Sequence, residues 1–361
     1  MYSIRALTVH YGKPRKESSF KEEVESFLYK LQEAVDNYKS VHNIRPGTLR
    51  IAFPSFPSDY EGLLREFEDL ADDFLINLGQ MKLNAGLGDA LRDVASSSMF
   101  SSILLSESTW DAAVKISKAL HSLVAEDPSY GANVGVNTFN YNYFITPYFP
   151  LASAIPGEVG ISVCLTYPNY LSGSYLKNGY EGLVASIREA GEKALEMGEF
   201  VSKELGVKYY GVDLSVSPWM EESSLGLIEA VSGVRLTRPG FASGLKRVND
   251  AVLEASNGIK TTGFNEVMLP IAEDSRLKAR ASEGEVSARY LAMLSGACLA
   301  GLDLAVVPSD VDGVAGLILD VSAYSKTKKR VLGVRIIPVD GVEPGDKVDL
   351  GRFGFTPVIA I

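Results

Sequence analysis

The stretch Gly211-Val212-Asp213-Leu214-Ser215-Val216-Ser217-Pro218 decides the fold class of this chain. It alternates apolar and polar residues as a strand does, and a proline ends it, because proline donates no ladder hydrogen bond. Two later stretches are built in the same way, FNEVMLP at 264–270 and LDLAVVP at 302–308. The pattern predicts strands whose carboxyl ends meet at one rim, which is where parallel α/β proteins bind their ligands.

Outward from this stretch, apolar strand-like runs alternate with segments of helical period along the whole chain. This alternation predicts an α/β fold with a mostly parallel sheet. Prolines that end the runs indicate a common orientation, at Pro54, Pro168, Pro218, Pro270, Pro308 and Pro338. No shift in composition marks a linker, so residues 1–361 are predicted to form a single domain. Ten candidate strands are found, at Ile4–His10, Leu49–Phe53, Phe74–Leu78, Ser101–Leu105, Asn133–Thr138, Val159–Tyr167, Tyr209–Val216, Gly263–Leu269, Leu302–Val307 and Gly333–Ile337.

Composition excludes several classes of function. A formal net charge of −10 and a pI near 5.0 disfavour a surface that binds the nucleic-acid backbone, which needs clustered Lys and Arg. No window is apolar enough to span a bilayer, and the first residues lack a signal-peptide core. The two cysteines, Cys164 and Cys298, form no metal or disulfide pattern and fit a reducing compartment. A cytoplasmic protein is expected.

The connection between the fifth and sixth candidate strands has no helical period and is rich in aromatic residues. It runs over residues 139–154 and includes Tyr143, Tyr148 and Phe149. Long connections of this kind inside a compact domain tend to be functional loops. Tyr143 is therefore a candidate substrate-binding residue. The alternative is that the rings close one end of the core.

Several blocks of the sequence resemble an uncharacterised family, domain of unknown function 711, which is also called uncharacterised protein family 0210. The strongest resemblance covers about residues 209–351, and the N-terminal third is similar over shorter stretches. The blocks are GVDLSVSP (211–218), FNEVMLPIAED (264–274), CLAGLDLAVVPSD (298–310), VRIIPVDGVEPGDKVDLG (334–351), IRALTVHYG (4–12), LRIAFPSFP (49–57) and NYFITPYFPLA (142–152).

The resemblance implies a ten-stranded α/β barrel similar to that of pyruvate formate-lyase and anaerobic ribonucleotide reductase. It does not imply their chemistry. Those glycyl-radical enzymes carry a motif of the RVxGY type near the C-terminus, whereas this chain reads RFGFTP at 352–357. Cys164 stands in a strand and Cys298 in a predicted helix, so neither is placed on a loop inside the barrel. Radical chemistry is not expected.

Carboxylates and hydroxyls at the strand ends are the candidate site. Asp213, Glu273 and Asp310 are the candidate catalytic groups, as acid/base or metal-holding residues. Glu266, Glu273 and Asp274 offer a general acid/base pair, since neighbouring carboxylates in a partly buried site push their pKa values apart. The candidate substrate-binding residues are Ser215, Ser217, Asn265, Glu266, Asp274 and Tyr143. Each has a structural alternative: Asp213 can be a buried carboxylate bonded to backbone, Glu273 and Asp274 a solvated helix start, and Asp310 a helix cap.

Two functions fit these residues. The first is an enzyme that acts on a small polar metabolite at the strand-end rim, and the second is a non-catalytic barrel that binds or senses a ligand there. No metal site is predicted, although a carboxylate cluster that holds Mg²⁺ together with substrate oxygens is a minor alternative. The acidic rim disfavours anionic substrates unless a metal or Arg235, Arg238 or Arg247 compensates. The expected partners are a small molecule and, in a homodimer, a second copy of the chain.

Overall fold

The computed structural model describes residues 2–15, 20–84, 86–139, 143–297 and 300–361. Cys298 and Tyr141 lie outside the described residues. The helices are α1 (Phe20–His42), α2 (Tyr60–Phe67), α3 (Leu87–Ser96), α4 (Trp110–Val124), α5 (Pro168–Leu205), α6 (Ser224–Ser232), α7 (Phe241–Ala255), α8 (Ser275–Ser282), α9 (Ala288–Ala297) and α10 (Val311–Lys328). The strands are β1 (Ser3–Tyr11), β2 (Thr48–Ala52), β3 (Leu75–Met81), β4 (Phe100–Leu104), β5 (Val134–Asn137), β6 (Val159–Thr166), β7 (Lys208–Asp213), β8 (Gly301–Pro308), β9 (Gly333–Val339), β10 (Lys347–Asp349) and β11 (Phe355–Pro357).

The α/β fold expected from the sequence is confirmed, with one large central sheet. Nine of the strands form it in the order β7-β6-β1-β2-β3-β4-β5-β9-β8, while β10 and β11 form a separate antiparallel pair. Helices cover the sheet because their apolar residues recur at helical spacing. In α1, for example, Val24, Leu28, Leu31 and Val35 make one buried stripe against the core.

The expectation of one common strand orientation is wrong. β1 to β5 are parallel to each other, but β6 is antiparallel to β1 and β9 is antiparallel to β5. β7 follows the direction of β6, and β8 follows that of β9. The strand that ends at Pro54 therefore points to the opposite edge of the sheet from those that end at Pro168 and Pro218. Proline shows where a strand ends and carries no information on its direction.

The predicted eighth strand, Gly263–Leu269, is not a regular strand. Gly263 has a φ of +77° and Asn265 a φ of +51°, and both values break the extended geometry. This stretch and the residues just before it nevertheless hydrogen-bond to the chain around β7: Val212 N donates to Lys260 O and Val216 N to Glu266 O. On its other side Ala300 N donates to Val267 O. These hydrogen bonds place the irregular segment beside the end of β7 and the start of β8.

A short irregular segment, residues 143–154, lies against the face of the sheet that the helices leave uncovered. Polar side chains of the strands hold its backbone carbonyls. Thr8 Oγ1 donates to Pro147 O at 3.0 Å, and Asn77 Nδ2 donates to Pro150 O at 2.6 Å. These buried bonds fix the segment and satisfy its carbonyl groups, which would be costly to bury unpaired. The segment forms one wall of the cavity described next.

Candidate functional site

A cavity of about 460 Å³ opens beside residues 148–151 of this segment. Strand residues surround it from β1, β2, β3, β4, β6, β8 and β9, and the short helical turns at 271–273 and 351–353 close its sides. Its size suits a small-molecule ligand. Two of the predicted site residues, Ser217 and Glu273, line it.

Two largely buried arginines and two carboxylates form a series of ion pairs along one wall. Arg5 contacts Glu273 at 2.5 Å, and Arg335 contacts the same carboxylate at 3.5 Å. Arg335 also binds Asp303 with two parallel hydrogen bonds, of 2.5 and 2.9 Å. Burial lowers the pKa of Arg335, but the paired fork with Asp303 outweighs burial and raises it. These four residues balance each other in charge.

The ion pairs set the protonation of Glu273. Burial by itself raises the pKa of this carboxyl, but the charges of Arg5 and Arg335 outweigh burial and leave the pKa below its usual value. Burial likewise lowers the pKa of Arg5, and the contact with Glu273 reverses that effect and raises it. Glu273 is therefore an ionised acceptor, whose oxygens already receive hydrogen bonds from Arg5 and Arg335.

The hydroxyl groups of Ser217 and Tyr148 lie next to these ion pairs. Ser217 Oγ accepts a hydrogen bond from Arg5 at 2.6 Å, which orients it in the cavity wall. The buried Tyr148 hydroxyl lies near Ser217 and Cys164 but makes no hydrogen bond of normal geometry in the described part of the chain. Burial raises the pKa of Tyr148 well above its usual value and that of Cys164 to about 11. Both groups are thus protonated at neutral pH, and Cys164 is a poor nucleophile.

Asp213 is buried behind the cavity, outside its lining. Its Oδ1 accepts from Ser215 Oγ at 2.5 Å, and its Oδ2 accepts from Phe264 N at 2.8 Å; further donors are Ser215 N, Asn265 N and Thr146 Oγ1. Burial raises the pKa of Asp213, although these hydrogen bonds lower it. The contacts fasten the end of β7 to the irregular segment. The catalytic role of Asp213 stays a prediction.

Asn265 and Glu266 serve the same junction. Asn265 Oδ1 accepts from Leu214 N at 2.9 Å, so the amide closes the turn that its positive φ begins. Glu266 forms ion pairs with Lys328 at 2.8 Å and Arg330 at 3.0 Å, which tie the segment to the end of α10. Neither residue lines the cavity. Their substrate-binding roles stay predictions.

The remaining predicted residues lie away from the cavity. Asp274 is buried and caps α8, accepting from the N–H groups of residues 276 and 277, and it also accepts from Ser223 Oγ at 2.7 Å. The alternative of a solvated helix start is therefore wrong for Asp274 and for Glu273 alike. Asp310 is exposed and caps α10 through Gly313 N, as its structural alternative proposed. Tyr143 is half-buried and outside the lining.

Sequence reasoning missed the arginines. The cavity is lined by Arg5, Arg50, Arg335 and Arg352, whereas Arg235, Arg238 and Arg247 are outside its lining. The signal was present in the strands, because IRA at 4–6, LRI at 49–51 and VRI at 334–336 each place one arginine inside an apolar run. Arginine is almost never buried without a partner, so an arginine in a core strand indicates a specific site.

Within ranges 2–15, 20–84, 86–139, 143–297 and 300–361, no three His, Cys, Asp or Glu side chains come together as a metal-binding group. Within the same ranges, no helix combines the length and the apolar character needed to cross a bilayer.

Comparison with known proteins gives one family. A family model described as "Uncharacterised ACR (DUF711)" matches residues 99–351. A UPF0210 protein of Pyrobaculum arsenaticum is 37% identical over 176 residues, which are 46% of this chain and 39% of the relative. A UPF0210 protein of Pyrobaculum aerophilum is 29% identical over 374 residues, which are 92% of this chain and 82% of the relative. One of Lacticaseibacillus casei is 29% identical over 221 residues, 57% of this chain and 48% of the relative. The match thus spans less than half of the first and third relatives and most of the second.

Proposed function

The chain belongs to the family Uncharacterised ACR (DUF711), and we propose that it is an enzyme that acts on a small polar metabolite in the cavity beside residues 148–151. The observation that carries the proposal is the convergence of Glu273, Ser217 and Tyr148 on that cavity, from three stretches far apart in sequence. Clustered polar groups in a largely apolar pocket are the usual signature of a small-molecule site.

The groups have distinct roles in this proposal. Glu273 is the carboxylate that accepts a hydrogen bond or proton from the metabolite, with Arg5 and Arg335 holding it in place. The Ser217 and Tyr148 hydroxyls orient the substrate. A hydrogen bond from the Tyr148 hydroxyl to a ligand would remove the cost of burying that hydroxyl unpaired.

The ion pairs also favour a second candidate, a protein that binds the metabolite without converting it. Because Arg5 and Arg335 lower the pKa of Glu273, this carboxylate is a weak base at neutral pH. A general base works best when its pKa lies near the working pH. Turnover of a bound metabolite is therefore the quantity that separates the two candidates.

The experiment follows metabolites directly. The purified protein is incubated with a mixed extract of small metabolites, and mass spectrometry records which compounds decrease and which appear. We expect one compound to be converted by the wild-type chain and by Tyr29→Phe, an exposed control, and at least about ten-fold more slowly by Tyr148→Phe. A compound that is retained on the protein but never converted supports the binding candidate.

A matched pair of variants tests the cavity itself. Leu75→Trp fills it from the start of β3, while Leu253→Trp adds the same ring to an exposed position on α7. Conversion or binding should be lost in the first variant and kept in the second. If both variants behave as the wild type, the cavity is not the site.

We further propose that the nine-stranded sheet and the segment 260–269 together form a closed barrel in one domain, like the barrel of pyruvate formate-lyase. The hydrogen bonds of that segment to Val212 and Val216 on one side and to Ala300 on the other support closure. Lining residues that range from Ser3 to Phe353 support a single domain. Glycyl-radical chemistry is no part of the proposal, since the RVxGY type of motif is replaced by RFGFTP.

A further inference from the structure

The arginines of the cavity exceed the carboxylates that pair with them. Arg5 and Arg335 are matched by Glu273 and Asp303. Among the described residues, no carboxylate forms an ion pair with the other two, Arg50 and Arg352. The remaining acid of the lining, Glu222, accepts a hydrogen bond from Asn169 N at the rim. The inner wall therefore carries an excess of positive charge, in a chain whose net charge is −10.

Arg50 is the more deeply buried of the two. Its Nε donates to Thr48 Oγ1 at 3.0 Å, and one terminal nitrogen donates to Pro147 O at 3.1 Å. In the part of the chain that the structure describes, the other terminal nitrogen makes no hydrogen bond. Burial lowers the pKa of Arg50 to about 10, so the guanidinium is still charged at neutral pH. A buried charge without a counter-ion is costly, and a negative group that enters the cavity relieves that cost.

Aromatic rings connect the two unmatched arginines. The Arg50 guanidinium lies 5.5 Å from the centre of the Phe149 ring, and Arg352 lies 5.3 Å from that of Phe100. The Phe100 and Phe149 rings contact each other, with centroids 5.4 Å apart. Arg352 stands at the exposed side of this pair. The wall thus places guanidinium groups next to the flat apolar faces of the phenylalanine rings. Leu75 and Leu151 also line the cavity and extend this apolar surface.

We infer that the cavity selects a small carboxylic acid with a flat or apolar body, whose carboxylate is held by Arg50. The planar guanidinium matches a carboxylate in geometry, and the rings accept the rest of the molecule. The Tyr148 hydroxyl supplies a further donor. Arg352, at the mouth, attracts the anion and contributes less to holding it. This inference rests on the proposed function, since it names the substrate class of the same cavity.

The test uses pairs of probes that differ only in charge. Benzoate, phenylacetate and 3-phenylpropionate are each compared with the corresponding primary amide, and binding to the full chain is measured by calorimetry and by the unfolding midpoint. We expect at least one acid to bind at least about ten-fold more tightly than its amide. Arg50→Gln should weaken that acid by about ten- to a hundred-fold, with its amide unaffected. Arg352→Gln, at an exposed position that does not threaten folding, should weaken it by only a few-fold.

Arg247→Gln is the matched control, because Arg247 is exposed on α7, lies over the Tyr180 ring and is outside the cavity lining. It should leave every affinity unchanged. The inference is wrong if acid and amide bind equally, or if Arg50→Gln leaves the binding of the acid unchanged. In either case the proposed function still stands when Leu75→Trp abolishes the binding. Binding of inorganic phosphate in preference to all three acids would overturn the carboxylate class. If no acid binds, the inference is wrong. The proposed function is tested separately, and it is wrong if no compound of the metabolite extract is converted or retained.

Discussion

Acidification should loosen the wall of the cavity through one buried histidine. His10 lies on β1 and is fully buried, with Nδ1 2.6 Å from Ser153 O and Nε2 2.7 Å from Ser162 Oγ. A carbonyl only accepts, so Nδ1–H donates to Ser153, and the neutral ring accepts the Ser162 hydroxyl proton at Nε2. The bond to Ser153 holds the segment 143–154, which forms one wall of the cavity, and the bond to Ser162 joins β1 to β6.

The sign and size of the effect follow from the pKa. Burial lowers the pKa of His10 from 6.5 to about 4, with the hydrogen bond to Ser153 opposing part of the shift. Between these two pKa values His10 is protonated in the unfolded chain and neutral in the folded chain. The free energy of unfolding therefore falls as the pH falls. The contribution of His10 is fully present above about pH 6.5 and is lost by about pH 4, which amounts to about 3 kcal/mol.

Urea denaturation from pH 7 to pH 4 measures this contribution. Other groups titrate over the same range, and Asp213 acts in the opposite direction because burial raises its pKa. We therefore compare the wild-type chain with His10→Asn, whose amide keeps the donor to Ser153. The difference in unfolding free energy between the two chains should change by about 3 kcal/mol over the range.

An exposed variant that changes no titratable group, Leu253→Asn, should show the wild-type pH dependence. If His10→Asn and the wild type lose stability in parallel between pH 7 and pH 4, the histidine is not held neutral by burial and the reasoning fails.

Four further single substitutions test the site and its supports by chemical denaturation at neutral pH. Glu273→Gln should cost about 3 kcal/mol because it leaves Arg5 buried without its counter-ion. If the double variant Arg5→Met/Glu273→Leu is no more stable than Glu273→Gln, that explanation is wrong. Asp274→Ala should cost about 2 kcal/mol or more, and Asp310→Ala should cost about 1 kcal/mol. The difference is expected because Asp274 is buried and accepts more hydrogen bonds than the exposed Asp310. Equal losses of stability would contradict this reasoning. Gly263→Ala should cost at least about 2 kcal/mol, because a Cβ there would lie 2.0 Å from Asp213 Oδ2 and φ is +77°; an unchanged unfolding midpoint would refute it.

Local features of the fold were predictable because they depend on nearby residues. The α/β alternation, the stripe of α1 and the cap at Asp310 all follow from spacing along a short stretch of chain. The site was predictable only in part. Glu273 and Ser217 do line the cavity, whereas Asp213, with the same strand-end position, turns its carboxylate to the backbone behind it.

The sequence by itself determined most of the segments that become helices and strands, with Gly263–Leu269 as an exception, and which family the chain resembles. Periodicity, prolines and the quoted blocks are properties of the linear chain. Only the tertiary structure decided the direction of β6 to β9, because a strand reads the same whichever way its neighbours run. The tertiary structure also decided which charged side chains line the cavity. Arg5, Arg50, Arg335 and Arg352 are scattered over the chain, and the packing of distant strands around one segment brings them to a single wall. An acidic sequence thus folds around a basic cavity, since net charge counts residues and a site depends on where they meet.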